Sequence, residues 1–208
     1  FTPLNTFLDP FFIWAFRLPA NAYLGFGLGI LWVCLIATII GELSMAGAYF
    51  FNKDEFRKTS KEMIRHNNLS YKALQAKDKA AFKALNKEAN DQFGKSFFSR
   101  IALFGASLWP AFFAMGWIDH RFGRVDDLSA PFIGQVTPAF YFVLTYIIVR
   151  ILFSKVKLYL PLFKSIEKKV LENEDVGEKL MGPVDMMEEE MAKAKEREAA
   201  DEEVPAQE

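Results

Sequence analysis

Glu42 is the one charged residue between Leu18 and Asn52, and it stands in a long apolar run. A carboxylate deep in hydrocarbon must be neutral, paired or facing a wet cavity, so such a residue is a functional candidate by default. Counted from Asn21 it lies about 32 Å along a helix, which equally suits an inner-interface carboxylate near Lys53 or Arg100. The other polar groups in apolar surroundings are Ser44, Ser107, Gln135, Thr137, Thr145 and Arg150, with Arg100 at the edge of its run. On three neighbouring helices they could line one inner-leaflet groove, or they could form plain interhelical hydrogen bonds. Neither arrangement performs covalent chemistry.

No nucleophile–base pair, phosphate loop or paired-carboxylate arrangement is present, so no catalytic residue is assigned and the chain reads as a non-enzyme. Cys34 is the single cysteine and lies in an apolar run, which excludes an intramolecular disulfide. His66 and His120 lie in different segments with no carboxylate or thiolate at ligand spacing, so no metal site and no cofactor is expected. The run Gly25, Gly27, Gly29 follows no strand and reads as a helix-packing surface, not a nucleotide loop.

Charge distribution decides the class. The 208 residues carry 25% charged side chains, an ordinary share, yet 101–118 and 131–149 hold none. Spans are expected at 21–51, 97–118 and 132–153, since about 20 apolar residues cross hydrocarbon. Pro110 and Pro138 fall inside the second and third, where they free carbonyls and allow kinks. Residues 53–100 hold twelve Lys and Arg against six acids. Basic flanks stay in the cytoplasm, which predicts an outside N-terminus, 52–96 inside, a short outer loop at 119–131 and the C-terminus inside. The expected fold is an all-α membrane protein with three transmembrane helices and a cytoplasmic helical hairpin between the first two. The expected location is the cell (cytoplasmic, inner) membrane.

The remaining segments read as attachments to that frame. Residues 1–20 are aromatic and broken by Pro3, Pro10 and Pro19; Asp9 and Pro10 suit the start of a short helix at 10–18 lying in the outer interface. In the hairpin, Asn67 and Asn68 are expected to interrupt the first helix, Ser70 to cap the second, and Gly94 to end it. Residues 154–171 form a basic amphipathic stretch suited to the inner surface, and the acidic 172–208 is expected to be a mostly disordered tail. Within 184–208, Met186, Met187 and Met191 are the main apolar side chains.

The order of segments resembles the YidC-like membrane protein insertase superfamily, in particular its minimal three-span archaeal and endoplasmic-reticulum branches. The similar stretches are LNKEANDQFGKSFFSRIALF at 85–104, IDHRFGRVDDLSAPF at 118–132 and YFVLTYIIVRILFSKVK at 141–157. The resemblance implies a chaperone-like protein that offers client membrane proteins a polar groove open to cytoplasm and lipid. On that reading Glu42, Ser44, Arg100, Ser107, Gln135, Thr137, Thr145 and Arg150 are the groove or client-contact residues. The chain departs from the family in carrying an acid in its first span, with its arginines at span ends. Its acidic end would also repel ribosomal RNA, so no direct nucleic-acid partner is expected.

Two other classes share the plan. One is an ion-driven motor or energy-transducing channel subunit of the TolQ and MotA type, whose later spans are small and rich in threonine and glycine; the second span here, IALFGASLWPAFFAMGWI, is bulky and aromatic. The other is a non-catalytic scaffold subunit of a larger membrane complex. The expected partners are the lipid bilayer and either client membrane proteins or a fixed complex partner, with oligomeric state open.

Overall fold

The computed structural model describes residues 2–124, 129–130 and 134–202, with 2–5, 129–130, 134–135, 189–190, 193 and 196–202 described by their backbone only. The described chain is helical apart from one two-residue strand pair. In order it runs α1 (Thr2–Phe16), α2 (Ala22–Phe51), α3 (Lys53–Gln75), α4 (Lys79–Ala106), α5 (Trp109–Phe122), β1 (Ser129–Ala130), β2 (Gly134–Gln135), α6 (Pro138–Val156), a 3-10 turn (Lys157–Tyr159), α7 (Pro161–Glu174) and α8 (Pro183–Glu202). β1 and β2 pair antiparallel, Ser129 with Gln135 and Ala130 with Gly134. Among the described residues, three helical stretches are long and apolar enough to cross a membrane: Ala22–Phe51, Lys79–Phe122 taken across its break, and Pro138–Tyr159. The chain is therefore a helical, multi-pass membrane protein. It divides into two compact units, one of residues 1–52 and 100–171, the other of 53–99 and 172–208.

In the first unit α2 is central, with α1, α5 and α6 packed on it. Ile30, Val33, Cys34 and Ala37 meet Phe12 of α1, Ala114, Trp117 and Ile118 of α5, and Phe142, Tyr146 and Val149 of α6. Between helices in lipid, such contacts hold by close packing rather than by removal of apolar surface from water. The faces turned away from this core carry Leu24, Leu28, Leu31, Phe112, Ile147, Ile148, Ile151 and Leu152, all exposed as lipid-facing side chains are. Phe16, Phe26, Trp117, Phe122 and Tyr141 make an aromatic cluster near the α1–α2 turn, with Phe16 stacked on Phe122 at 4.8 Å.

The N-terminal segment corrects its sequence reading. α1 starts at Thr2 and not at residue 10, with Pro10 inside it, and it packs back along α2. Trp32 Nε1 donates to the Phe11 carbonyl at 3.1 Å, and Asp9 stands 3.9 Å from Arg121. Two of the three glycines explain this. A Cβ at Gly29 would clash with the Phe16 ring, and one at Gly25 would strike the Phe16 carbonyl, whereas Gly27 faces open space. Gly29→Ala should therefore destabilise the unit by about 1–3 kcal/mol through overpacking. Gly27→Ala should be neutral or stabilising by up to about 1 kcal/mol, as expected in an unobstructed helix. Denaturant titration in micelles reads this opposite pair of signs.

Both span prolines sit at helix starts. Pro138 follows Thr137, whose Oγ1 accepts the Phe140 N–H at 3.3 Å, so the third span begins at 138, not 132. Pro110 is the second residue of α5 and cannot donate to the Ala106 carbonyl, so the second span breaks at Ser107–Leu108 instead of merely kinking.

In the second unit α3 runs unbroken through Asn67 and Asn68 to Gln75, and Lys77, in the left-handed region at φ 59°, makes the turn. Asp78, not Ser70, caps α4 by accepting the Ala80 and Ala81 N–H groups, and Gly94 does not end that helix. The two asparagines instead hold the distal chain. Asn67 Nδ2 donates to the Met181 carbonyl at 2.9 Å, Asn68 Nδ2 to the Lys179 carbonyl at 3.0 Å, and the Met181 N–H returns to Asn68 Oδ1 at 2.9 Å. Lys179 then pairs with Asp185 at 2.8 Å, Asp185 also accepts the Gly182 N–H, and α8 follows. The segment expected to be a disordered tail is thus strapped to α3 and helical to Glu202, because side-chain amides satisfy the strap's backbone.

The hydrogen bond from Lys179, with the Gly182 N–H, holds the Asp185 carboxyl below the ordinary Asp value; the bond to Asp185 lifts Lys179 above the ordinary Lys value. The lowered carboxyl contributes stability above its unfolded value that disappears as pH falls through the folded one. The raised ammonium contributes below its unfolded value and loses this as pH rises through the folded one. The strap should thus be tightest between the two. Hydrogen exchange at Gly182, corrected for intrinsic rate, should show lower protection at both extremes, modestly because the pair is exposed and screened.

Candidate functional site

The break in the second span lies against α2. A Cβ at Gly41 would collide with the Ser107 carbonyl oxygen, so only glycine lets the broken backbone approach. On the same stretch of α2, Ser44 accepts the Trp109 Nε1–H at 3.1 Å while its own hydroxyl donates to the Ile40 carbonyl. Ser107 is fully buried, and its Oγ donates to the Phe104 carbonyl at 2.6 Å.

A charged network joins this break to α6. Arg150 Nη2 donates to Ser107 Oγ at 2.6 Å and Nη1 to the Tyr146 hydroxyl at 2.7 Å, and the guanidinium lies 5.1 Å from the centre of the Phe104 ring. Glu42 Oε1 stands 3.9 Å from Arg150 Nη2, and Glu42 Oε2 accepts from Lys157 Nζ at 2.8 Å. The side chains of Glu42, Arg150 and Lys157 are 10%, 17% and 25% exposed, so the network opens toward its Lys157 end. Such a carboxylate is best held by two cations, one of them a hydroxyl-anchored guanidinium, since burying it alone costs several kcal/mol. Phe153 packs edge-on to Phe163, and the Tyr49 hydroxyl donates to the Val170 carbonyl at 3.5 Å, which brings α7 back beside this end.

Of the residues singled out in the sequence, Glu42, Ser107 and Arg150 meet. Ser44 bonds Trp109 on the other side of the break, Thr137 caps α6, Thr145 is half-buried on α6, and Arg100 is exposed on α4. Gln135 belongs to β2, not to a span, and its side chain lies outside the described residues. Tyr146 and Lys157 were missed as partners. Their spacing from Arg150, four and seven residues, puts all three on one helical face, a signal present in the sequence.

Beside the break is an apolar cavity of about 350 Å³, lined by Leu8, Phe12, Ile40, Trp109, Pro110 and Phe113 among others. Trp109 therefore touches both the cavity and the polar side chain of Ser44. The site can exchange hydrogen bonds and ion pairs with a polar group and shelter an apolar one. Comparison of the chain with protein-family models, with curated proteins and with solved structures finds no match.

Proposed function

We propose that the protein is a non-catalytic insertase of YidC-like plan, N-terminus outside and C-terminus in the cytoplasm, that receives segments of client membrane proteins at the broken second span. The observation that carries this reading is the Glu42–Arg150–Lys157 network, placed between apolar helices and hydrogen-bonded to the helix break through Ser107, with an apolar cavity across the break at Trp109 and Pro110. A client's polar segment would exchange for the bonds that Arg150 and Lys157 make, lowering the several-kcal/mol penalty of bringing polar groups into hydrocarbon. Its apolar segment would pass along the face of Phe113 and Trp109. The network is closed by its own members, so client entry includes opening it.

That closure also favours a second reading, a fixed subunit whose network is structural. Phe104 separates the two, because its ring lies over Arg150 yet is half exposed. With a photoreactive phenylalanine at position 104, adducts to varied nascent membrane proteins are expected from an insertase. Adducts to one partner at constant stoichiometry would establish the fixed subunit instead.

A further inference from the structure

The network is unbalanced in charge. Among the described residues Glu42 is its one carboxylate, shared between Lys157 at 2.8 Å and Arg150 at 3.9 Å, while the two hydrogen bonds of Arg150 go to neutral hydroxyls. One positive charge is left over, on cations only 17% and 25% exposed. In a poorly hydrated setting such a charge attracts an anion far more strongly than it would in water. Donors remain for one, since the Lys157 ammonium has three N–H groups and the Arg150 guanidinium five.

The position of Lys157 identifies the anion. It starts the turn that ends the third span, followed by exposed Leu158 and by Tyr159, 86% exposed, and then by the lysines of α7. A tyrosine and lysines at the end of an apolar helix mark the headgroup level of a bilayer. The adjoining face of α6 presents Val143, Ile147 and Ile151 to lipid. We infer that the leftover charge of the Arg150–Lys157 pair binds the phosphodiester of one anionic phospholipid, with Lys157 as first contact and an acyl chain along that face. The lipid site uses the side chains of the proposed client contact but stands without that function, and its test contains no client.

The test is native mass spectrometry of the full chain in a neutral detergent, with phosphatidylglycerol and phosphatidylcholine of matched acyl chains. A single phosphatidylglycerol is expected to be retained about fivefold more tightly than phosphatidylcholine, the effect of one basic group at a membrane surface. Lys157→Gln should remove the preference and Lys157→Arg should keep it. Glu42→Gln, which leaves two uncompensated cations, should strengthen it; if that variant does not fold, the Lys157 pair decides alone. Equal retention of the two lipids by the wild type, or an undiminished preference in Lys157→Gln, overturns the inference. Displacement of phosphatidylglycerol by inorganic phosphate that is itself retained also overturns it, by assigning the site to a soluble anion.

Discussion

Glu42→Ala should destabilise the membrane unit by about 3–5 kcal/mol, because removing one partner strands buried charges whose compensation is lost. Arg150 and Lys157 would both remain, held on α6 and its following turn with no other carboxylate in the network among the described residues. Replacing the whole network is a different experiment. The triple variant Glu42→Leu, Arg150→Met, Lys157→Met has no stranded charge and fills similar volume, so its stability should lie near that of the wild type or above it. Unfolding curves of the single and triple variants in the same detergent measure the contrast. If the triple variant is as unstable as Glu42→Ala, the loss is not one of charge compensation.

Gly41→Ala is expected to have the second large effect, about 3 kcal/mol. The obstacle is the Ser107 backbone carbonyl, not the far end of a flexible side chain, so the new methyl must push α2 away from the break. Overpacking accounts for about 1–3 kcal/mol. Displacing Ser107 from Arg150 adds the loss of a hydrogen bond to a charged group, about 1.5–3 kcal/mol where that bond is fully broken. Gly47 on the same helix has no neighbour at its Cβ position, so Gly47→Ala should leave stability within about 1 kcal/mol of the wild type. Equal effects at the two glycines would mean that helix propensity, not the fit at the break, sets the outcome.

What the sequence discloses here follows from what each signal physically reports. Uncharged stretches show the three spans because burying a charge in lipid is costly at any position along them. The Gly25, Gly27, Gly29 run marks a packing surface, yet does not say which glycines meet a neighbour; that Phe16 meets Gly25 and Gly29 and leaves Gly27 open depends on α1 folding back, a tertiary outcome. Pro110 signals a disturbance of the second span, but break and kink differ only in whether a neighbour can approach the freed backbone, and Gly41 supplies that room from a distant segment. Asn67 and Asn68 carry turn propensity, which is overridden once their amides find the backbone of residues 179–181. At the site, Glu42 and Arg150 stand out as charges at apolar span positions. Lys157 does not, because one more lysine after a span looks like a basic flank until its spacing from Arg150 is read as a face.

The most direct test of the account is client insertion by the Glu42→Leu, Arg150→Met, Lys157→Met triple variant reconstituted in proteoliposomes, with its folding verified by the unfolding curve. The client is a single-span membrane protein with a short polar tail. Insertion is expected to fall to the level of protein-free liposomes although the variant is folded. Insertion at the wild-type rate by this folded, network-free protein would contradict the claim that the charged network at the broken span handles clients.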